Sequence, residues 1–152
     1  MKKLILLLLI PMITYSQTYN ELMGIESMND FKRVMIENGY EMGVEDDTYV
    51  GYGYNMEVEE GEEVAEKWGM YFKKYGVMVF TFNETPLDIF TRFGDYDDIV
   101  DNIKSKCEYD DIIVIDEGEE YVGYICSESK LDGKFGFNVI DKAGYIIFYP
   151  KP

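Results

Sequence analysis

Tyr49-Val50-Gly51-Tyr52 occurs a second time in the chain, as Tyr121-Val122-Gly123-Tyr124. Flanking segments recur in the same order, residues 18–22 with 85–89, 68–70 with 135–137, and 76–80 with 144–148. Recurrence in a fixed order indicates a tandem duplication. Each half is too short to bury a sufficient core alone. We therefore predict that residues 17–84 and 85–152 are the two repeat halves of one cooperative domain.

Each half shows two helix patterns followed by four strand patterns. In the first half, Ser27 and Asp30 have the spacing of a helix N-cap, and apolar residues then recur at helical intervals. Alternating apolar and polar residues begin at Tyr40 and again at Tyr49, which indicates half-buried strands. The predicted fold class is α+β, a tandem duplication of an α-α-β-β-β-β unit with antiparallel four-stranded sheets and helices packed on one face.

This order of elements resembles that of the beta-lactamase inhibitory proteins, which are tandem repeats of a helix-loop-helix and a four-stranded sheet. The resemblance covers the chain after its first residues and rests on topology. No motif of that family is matched, so no binding residue is carried over and lactamase inhibition is not implied.

The repeated block also indicates which residues share a face of each sheet. Val50 and Tyr52 lie on one face, and Gly51 lies on the other, because side chains alternate along a strand. A glycine inside a strand marks either a close helix crossing or a bulge or bend. We expect the glycine face, which includes Gly123, to lie beneath the helices. The nearly apolar segment 111–115 predicts a central strand, or one covered on both faces.

The first residues predict export. A short basic start precedes the apolar run 4–10, and small residues flank Tyr15, which is the pattern of a secretory signal peptide over residues 1–16. The alternative is an uncleaved membrane anchor. The expected location is periplasmic or extracellular. The formal net charge is −16 at pH 7, so we expect no nucleic-acid partner and no binding to an anionic membrane surface.

The two cysteines, Cys107 and Cys126, flank a predicted hairpin. An even number of cysteines in an exported chain favours a disulfide. The alternative is a pair of buried free thiols.

The residue types present argue against catalysis. The chain contains no histidine, which removes the commonest general base and the commonest zinc ligand. No glycine-rich phosphate loop occurs. We therefore predict no enzyme, no catalytic residues, no cofactor and no metal site. Two alternatives remain, a calcium- or cation-responsive protein that uses the Glu-rich segment 57–66 and, more remotely, a carboxylate-based hydrolase.

Aromatic residues are abundant, with 14 Tyr, 9 Phe and 1 Trp. Tyrosine on an exposed face supplies a large contact area and a polar tip, which suits protein interfaces. We predict a binding module for another protein or a ligand, with Tyr52, Tyr54 and Tyr124 on a tyrosine-rich sheet face. The alternative is that the two sheets bury these rings against each other.

Overall fold

A computed structural model of the chain describes residues 18–83, 95–115 and 118–152. The predicted signal peptide and residues 85–89, the predicted counterpart of residues 18–22, lie outside the described residues. The described parts form a mixed α+β structure, in which helices pack against an antiparallel sheet. No helix in the described parts is long and apolar enough to cross a membrane.

The described residues contain three helices, and the second begins directly after the predicted cap Ser27. They are α1 (Tyr19–Met23), α2 (Met28–Glu37) and α3 (Asp95–Lys106). The Thr18 hydroxyl accepts a hydrogen bond from the Glu21 N–H at 3.3 Å, and the Ser27 hydroxyl accepts one from the Asp30 N–H at 3.2 Å. These bonds satisfy N–H groups that lack a partner within the first turn of a helix.

The described residues contain ten strands. They are β1 (Glu41–Glu45), β2 (Tyr49–Tyr54), β3 (Glu57–Glu59), β4 (Glu62–Val64), β5 (Lys67–Phe72), β6 (Val77–Asn83), β7 (Glu108–Ile115), β8 (Glu119–Ile125), β9 (Gly133–Ile140) and β10 (Ala143–Pro150). Eight of them form one sheet, in the order β1-β2-β5-β6-β10-β9-β8-β7, and β3 pairs with β4 in a separate hairpin.

The prediction of separate four-stranded sheets is wrong. The fourth strand of each half, β6 and β10, pair antiparallel along their length, with Phe80 opposite Ile146. This pairing joins the two sets of four strands into one sheet. The physical reason is that a free, apolar β6 or β10 edge would leave a row of backbone groups without partners.

The Glu-rich segment 57–66 contains the β3–β4 hairpin. Glu57 pairs with Val64 and Glu59 pairs with Glu62. The turn residues Glu60 and Gly61 have positive φ angles of 52° and 87°. Positive φ at both central residues is the condition for the tight turn that best fits the twist of a two-stranded ribbon.

The main core lies between the helices and one face of the sheet. Helix residues such as Phe31, Met35, Ile99 and Ile103 are fully buried there. Their partners from the sheet alternate along the strands and are Val50, Tyr52, Met78, Phe80, Phe82, Phe135, Phe137, Ile146 and Phe148. We call this side of the sheet the helix face.

The glycines of the repeated block are on the other side, so the prediction that they lie beneath the helices is wrong. A Cβ atom at Gly51 would lie 2.9 Å from Val44 Cγ1, and one at Gly123 would lie 2.6 Å from the Asp111 carbonyl oxygen. Both neighbours belong to edge strands whose register shifts at that point. Each glycine therefore accommodates a bulge in the adjacent strand, which is the other reading of the pattern.

Candidate binding face

Of the three tyrosines predicted to bind a partner, Tyr52 is part of the core. Its side chain is 4% exposed. Its ring centroid lies 6.2 Å from that of Phe31 in α2, in an edge-to-face arrangement. The residue that was expected on an open face therefore packs beneath a helix, and it is not accessible to a partner in this fold.

Tyr54 and Tyr124 are half-buried on the same helix face. The Tyr54 ring lies 5.5 Å from Tyr40, and the Lys67 ammonium lies 4.9 Å from its centroid. The Tyr124 ring stacks on Phe137 at 5.7 Å. These contacts are those of core packing. Alternation along the strand correctly groups Tyr52 with Tyr54, but it does not show which face the helices cover.

The predicted cysteine pair is joined. The sulfur atoms of Cys107 and Cys126 lie 2.10 Å apart, and the two Cα atoms lie 4.5 Å apart. Cys107 directly follows α3 and Cys126 directly follows β8. The disulfide therefore fastens the end of α3 to the far end of the β7–β8 hairpin. The Tyr19 hydroxyl lies 3.5 Å from the Cys107 sulfur, so α1 also contacts this junction.

The opposite side of the sheet carries large side chains that no helix of the described ranges covers. Among the described residues, the helices contribute only to the core on the helix face. We call this side, in the part formed by β2, β5, β6 and β10, the open face. It is defined by residues that alternate with the core positions, namely Tyr49, Trp68, Met70, Phe72, Val77 and Tyr149. Val79 and Tyr145 lie on the same side but pack against the second core described below.

Neighbouring side chains of the open face form rows across the strands. Tyr49 lies opposite Phe72, and Phe72 lies opposite Val77. The ring centroids of Tyr49 and Phe72 are 5.6 Å apart. These residues are only half-buried although their strands have a partner on each side, and Tyr149 is 44% exposed. The face is thus a partly solvated aromatic surface on a rigid sheet.

On the same side of the sheet, the part that belongs to the second half of the chain is covered by side chains of the edge strand β7. A Cβ atom at Gly136 would lie 3.1 Å from Ile113 Cδ1 and 3.2 Å from Ile147 Cγ1. Side chains from β7 and β10 therefore meet above this glycine and form a small second core with Tyr121. Burial, together with a hydrogen bond from the Tyr121 hydroxyl to the Glu119 carboxylate at 3.1 Å, raises the pKa of Tyr121.

The β3–β4 hairpin gives one end of the open face an acidic border. Met56 and Ala65, which flank the hairpin, lie over Gly53 on this side of the sheet. The hairpin encloses an open depression lined by Glu59, Glu60, Glu62 and Val64. Over the described ranges, no group of three or more His, Cys, Asp or Glu side chains is arranged to hold a metal ion. The Glu side chains of the hairpin make this border negatively charged.

The residues of the open face were not among the predicted site residues. The relevant signal is Gly69, which alternates with Trp68 and Met70, but Gly51 gives the same signal for the other side of the sheet. A Cβ atom at Gly69 would lie 2.5 Å from Met35 Sδ and 3.4 Å from Phe31 Cζ, both in α2. Gly69 is thus a glycine beneath a helix, and it places Trp68 and Met70 on the opposite face.

Comparison of the chain with protein-family models, curated proteins and solved structures returns no significant match.

Proposed function

We propose that this chain is an exported, non-catalytic module that binds another protein through the open face. The observation that carries the proposal is the row Tyr49, Phe72, Val77 and Tyr149 with Trp68 and Met70 beside it, whose side chains are half-buried or exposed and, over the described residues, lie under no helix. Rigid aromatic side chains lose little conformational entropy on binding and are enriched in protein interfaces. The acidic hairpin at the border favours a partner with Lys or Arg around an apolar centre.

Export is part of this proposal and is supported by the disulfide, because such bonds persist in oxidising compartments. The intact mass of the exported protein should correspond to a chain that begins near Gln17. A mature protein that retains residues 4–10 would contradict export by cleavage of a signal peptide.

We also propose that the chain arose by tandem duplication. Both halves run from an edge strand inwards to the central pair, in the orders β1-β2-β5-β6 and β7-β8-β9-β10. In both halves the edge strand bulges opposite the glycine of the repeated block. These shared features support a common origin of the halves.

Site-specific photo-crosslinking tests the binding face. A benzophenone side chain is introduced at Tyr149 on the open face or at Ile36 on α2, which is 61% exposed and serves as the matched control. In the exported fraction of the source cells, we expect a discrete crosslinked protein from position 149 and none from position 36. Equal labelling from both positions, or an adduct from position 36 alone, would contradict the proposal.

A further inference from the structure

The strand β7 was predicted to be central or covered on both faces, and that prediction is wrong. Among the described strands it pairs only with β8 and forms one end of the eight-stranded sheet. Ile112 is 41% exposed and Val114 is 60% exposed. An apolar edge strand is unusual, because unpaired backbone groups beside apolar side chains attract another strand.

Backbone geometry shows which groups of β7 face outwards. The Ile112 N–H donates to the carboxylate of its own neighbour Asp111 at 2.7 Å, so it is turned to the edge and away from β8. Alternate residues of an antiparallel strand direct their N–H and C=O groups to the same side. Val114 therefore presents both groups to the edge, beside its own exposed side chain.

The other end of the sheet offers no equivalent surface. The strand β1 has five residues and begins and ends with Glu41 and Glu45. The Lys32 ammonium lies 2.8 Å from the Glu45 carboxylate, so a side chain of α2 reaches this edge. Short length, charge and cover are the usual protections of an edge strand. The segment Ile112–Ile115 of β7 has none of them among the described residues.

The acidic residues around β7 indicate which kind of strand pairs favourably with its edge. The first half of the strand carries Glu108, Asp110 and Asp111, and the neighbouring strand β8 begins with Glu119 and Glu120. Lys134 pairs with Asp110. A second copy of the chain would bring the same carboxylates to the same edge, within a protein of net charge −16. Like charges across adjacent strands oppose pairing, whereas Lys or Arg on the incoming strand favours it.

We propose that the β7 edge is a strand-addition site for an extended segment of another protein, in which apolar residues alternate with Lys or Arg. The backbone of that segment pairs with the Ile112 carbonyl and with both backbone groups of Val114, because the Ile112 N–H is bound by Asp111. Its apolar side chains pack beside Ile112 and Val114, and its basic residues face the acidic half of β7. This site is separate from the open face, so either can fail without the other.

The test uses the folded, disulfide-bonded protein and a short, capped synthetic peptide that alternates Val and Lys. Fluorescence polarisation measures binding, with two control peptides. One replaces Lys by Glu, and the other carries N-methyl groups on alternate amides, which removes strand hydrogen bonds without changing charge. We expect binding of the Val/Lys peptide alone, and weaker binding as salt is added.

Variants at Val114 locate the site. Val114→Pro removes an outward N–H at a position where an edge strand tolerates proline, and Val114→Thr is the matched control that keeps the N–H and the branched shape. We expect Val114→Pro to weaken binding by about tenfold, which is the upper end for one hydrogen bond. Val114→Thr should remain close to the unmodified protein. Val114→Lys keeps the backbone and should also weaken binding by charge repulsion, which provides a test if the proline variant does not fold.

Three results would overturn the proposal. They are equal binding of the Glu peptide, binding that survives both N-methylation and Val114→Lys, and a dimer of the peptide-free protein that Val114→Lys converts to a monomer. The last result would identify a second copy of the chain as the occupant of the edge.

Discussion

At the scale of single residues, Tyr52 shows how a side chain expected at a surface serves as core. Its ring is enclosed by α2 and the sheet, so truncation leaves a cavity that the surrounding aromatic residues cannot fill. We expect Tyr52→Ser to lower the free energy of unfolding by about 3 kcal/mol or more. Urea denaturation measures the change.

Tyr75→Ser is the matched control, because Tyr75 is 65% exposed in the turn between β5 and β6. We expect a change within about 0.5 kcal/mol there. Similar losses for both variants would mean that Tyr52 does not lie beneath α2.

Gly144 in β10 lies directly beneath Tyr96 of α3. A Cβ atom there would lie 2.7 Å from Tyr96 Cδ2 and 2.8 Å from Tyr96 Cγ. The ring has little freedom to move, because its hydroxyl donates to the Asn138 carbonyl oxygen at 3.1 Å. We expect Gly144→Ala to cost about 1–3 kcal/mol in the free energy of unfolding through overpacking.

Gly24→Ala is the control for the glycine prediction. Gly24 has a right-handed backbone with φ of −80°, and an added Cβ would meet the nearest atom at 3.4 Å. Its substitution should be neutral or slightly stabilising. A neutral result at Gly144 would contradict the close approach of Tyr96.

At the scale of elements, the disulfide closes the β7–β8 hairpin. Cys107 and Cys126 are 19 residues apart in sequence. A loop of this length corresponds to about 3 kcal/mol of stabilisation, chiefly through restriction of the unfolded chain. We therefore expect the Cys107→Ala/Cys126→Ala protein to unfold at lower urea concentration. Reductant should shift the unmodified protein in the same direction and leave the double variant unchanged.

The helices and strand positions of the first half could be predicted because their signals are local. Ser27 with Asp30 identifies the start of α2, and the alternation at 49–54 identifies β2. The hairpin within 57–66 could not be predicted with the same ease, because Val58 and Val64 are its only apolar strand residues. Its turn depends on Glu60 at positive φ, which glutamate rarely adopts.

The side of the sheet that the helices cover could not be predicted. Alternation along a strand shows which residues share a side, but it does not show which side is buried. The match between residues 68–70 and 135–137 illustrates the difficulty. In the sheet, Gly69 lies opposite Tyr52, and the residue opposite Tyr124 is Phe135. Gly69 and Phe135 therefore occupy equivalent positions in the two halves, one residue away from the sequence match. A shift of one residue exchanges the two faces of a strand. For the same reason, the predicted site included Tyr52 on the helix face, whereas the partly exposed aromatic residues lie on the open face.

At the scale of the whole molecule, one sheet and a shared core connect the two halves. We expect a single unfolding transition in urea. Trp68 is the only tryptophan and lies in β5 of the first half, so its fluorescence follows that half, whereas circular dichroism follows the whole sheet. Coincident transitions indicate one cooperative unit. A fluorescence transition clearly separated from the dichroism transition would show that the halves unfold independently.

Buried tyrosines determine the response to alkaline pH. Burial raises the pKa of Tyr40, and it raises the pKa of Tyr96 to about 12 from an ordinary 10.0. A raised pKa in the folded state means that the unfolded chain loses the proton first. The resulting stability is fully present below pH 10 and is lost as pH rises towards about 12. The raised pKa of Lys32, caused mainly by its hydrogen bond to Glu45, acts in the same direction.

Urea midpoints measured across this alkaline range test the effect. We expect the midpoint to fall steadily as pH rises, and we expect a smaller fall in Tyr96→Phe, which cannot ionise at that position. A midpoint that is constant through the range, or a variant that follows the unmodified protein, would contradict the role of these buried hydroxyls.

The pairing of β6 with β10 also sets the timing of folding. The two central strands come from different halves of the chain, and β10 is the last strand that the structure describes. Contacts between distant parts of a chain form slowly, because the loop between them must close first. During synthesis, the apolar edge of β6 lacks its partner strand until β10 has been made. The interval before that pairing is when this protein is most exposed to aggregation and to capture by chaperones.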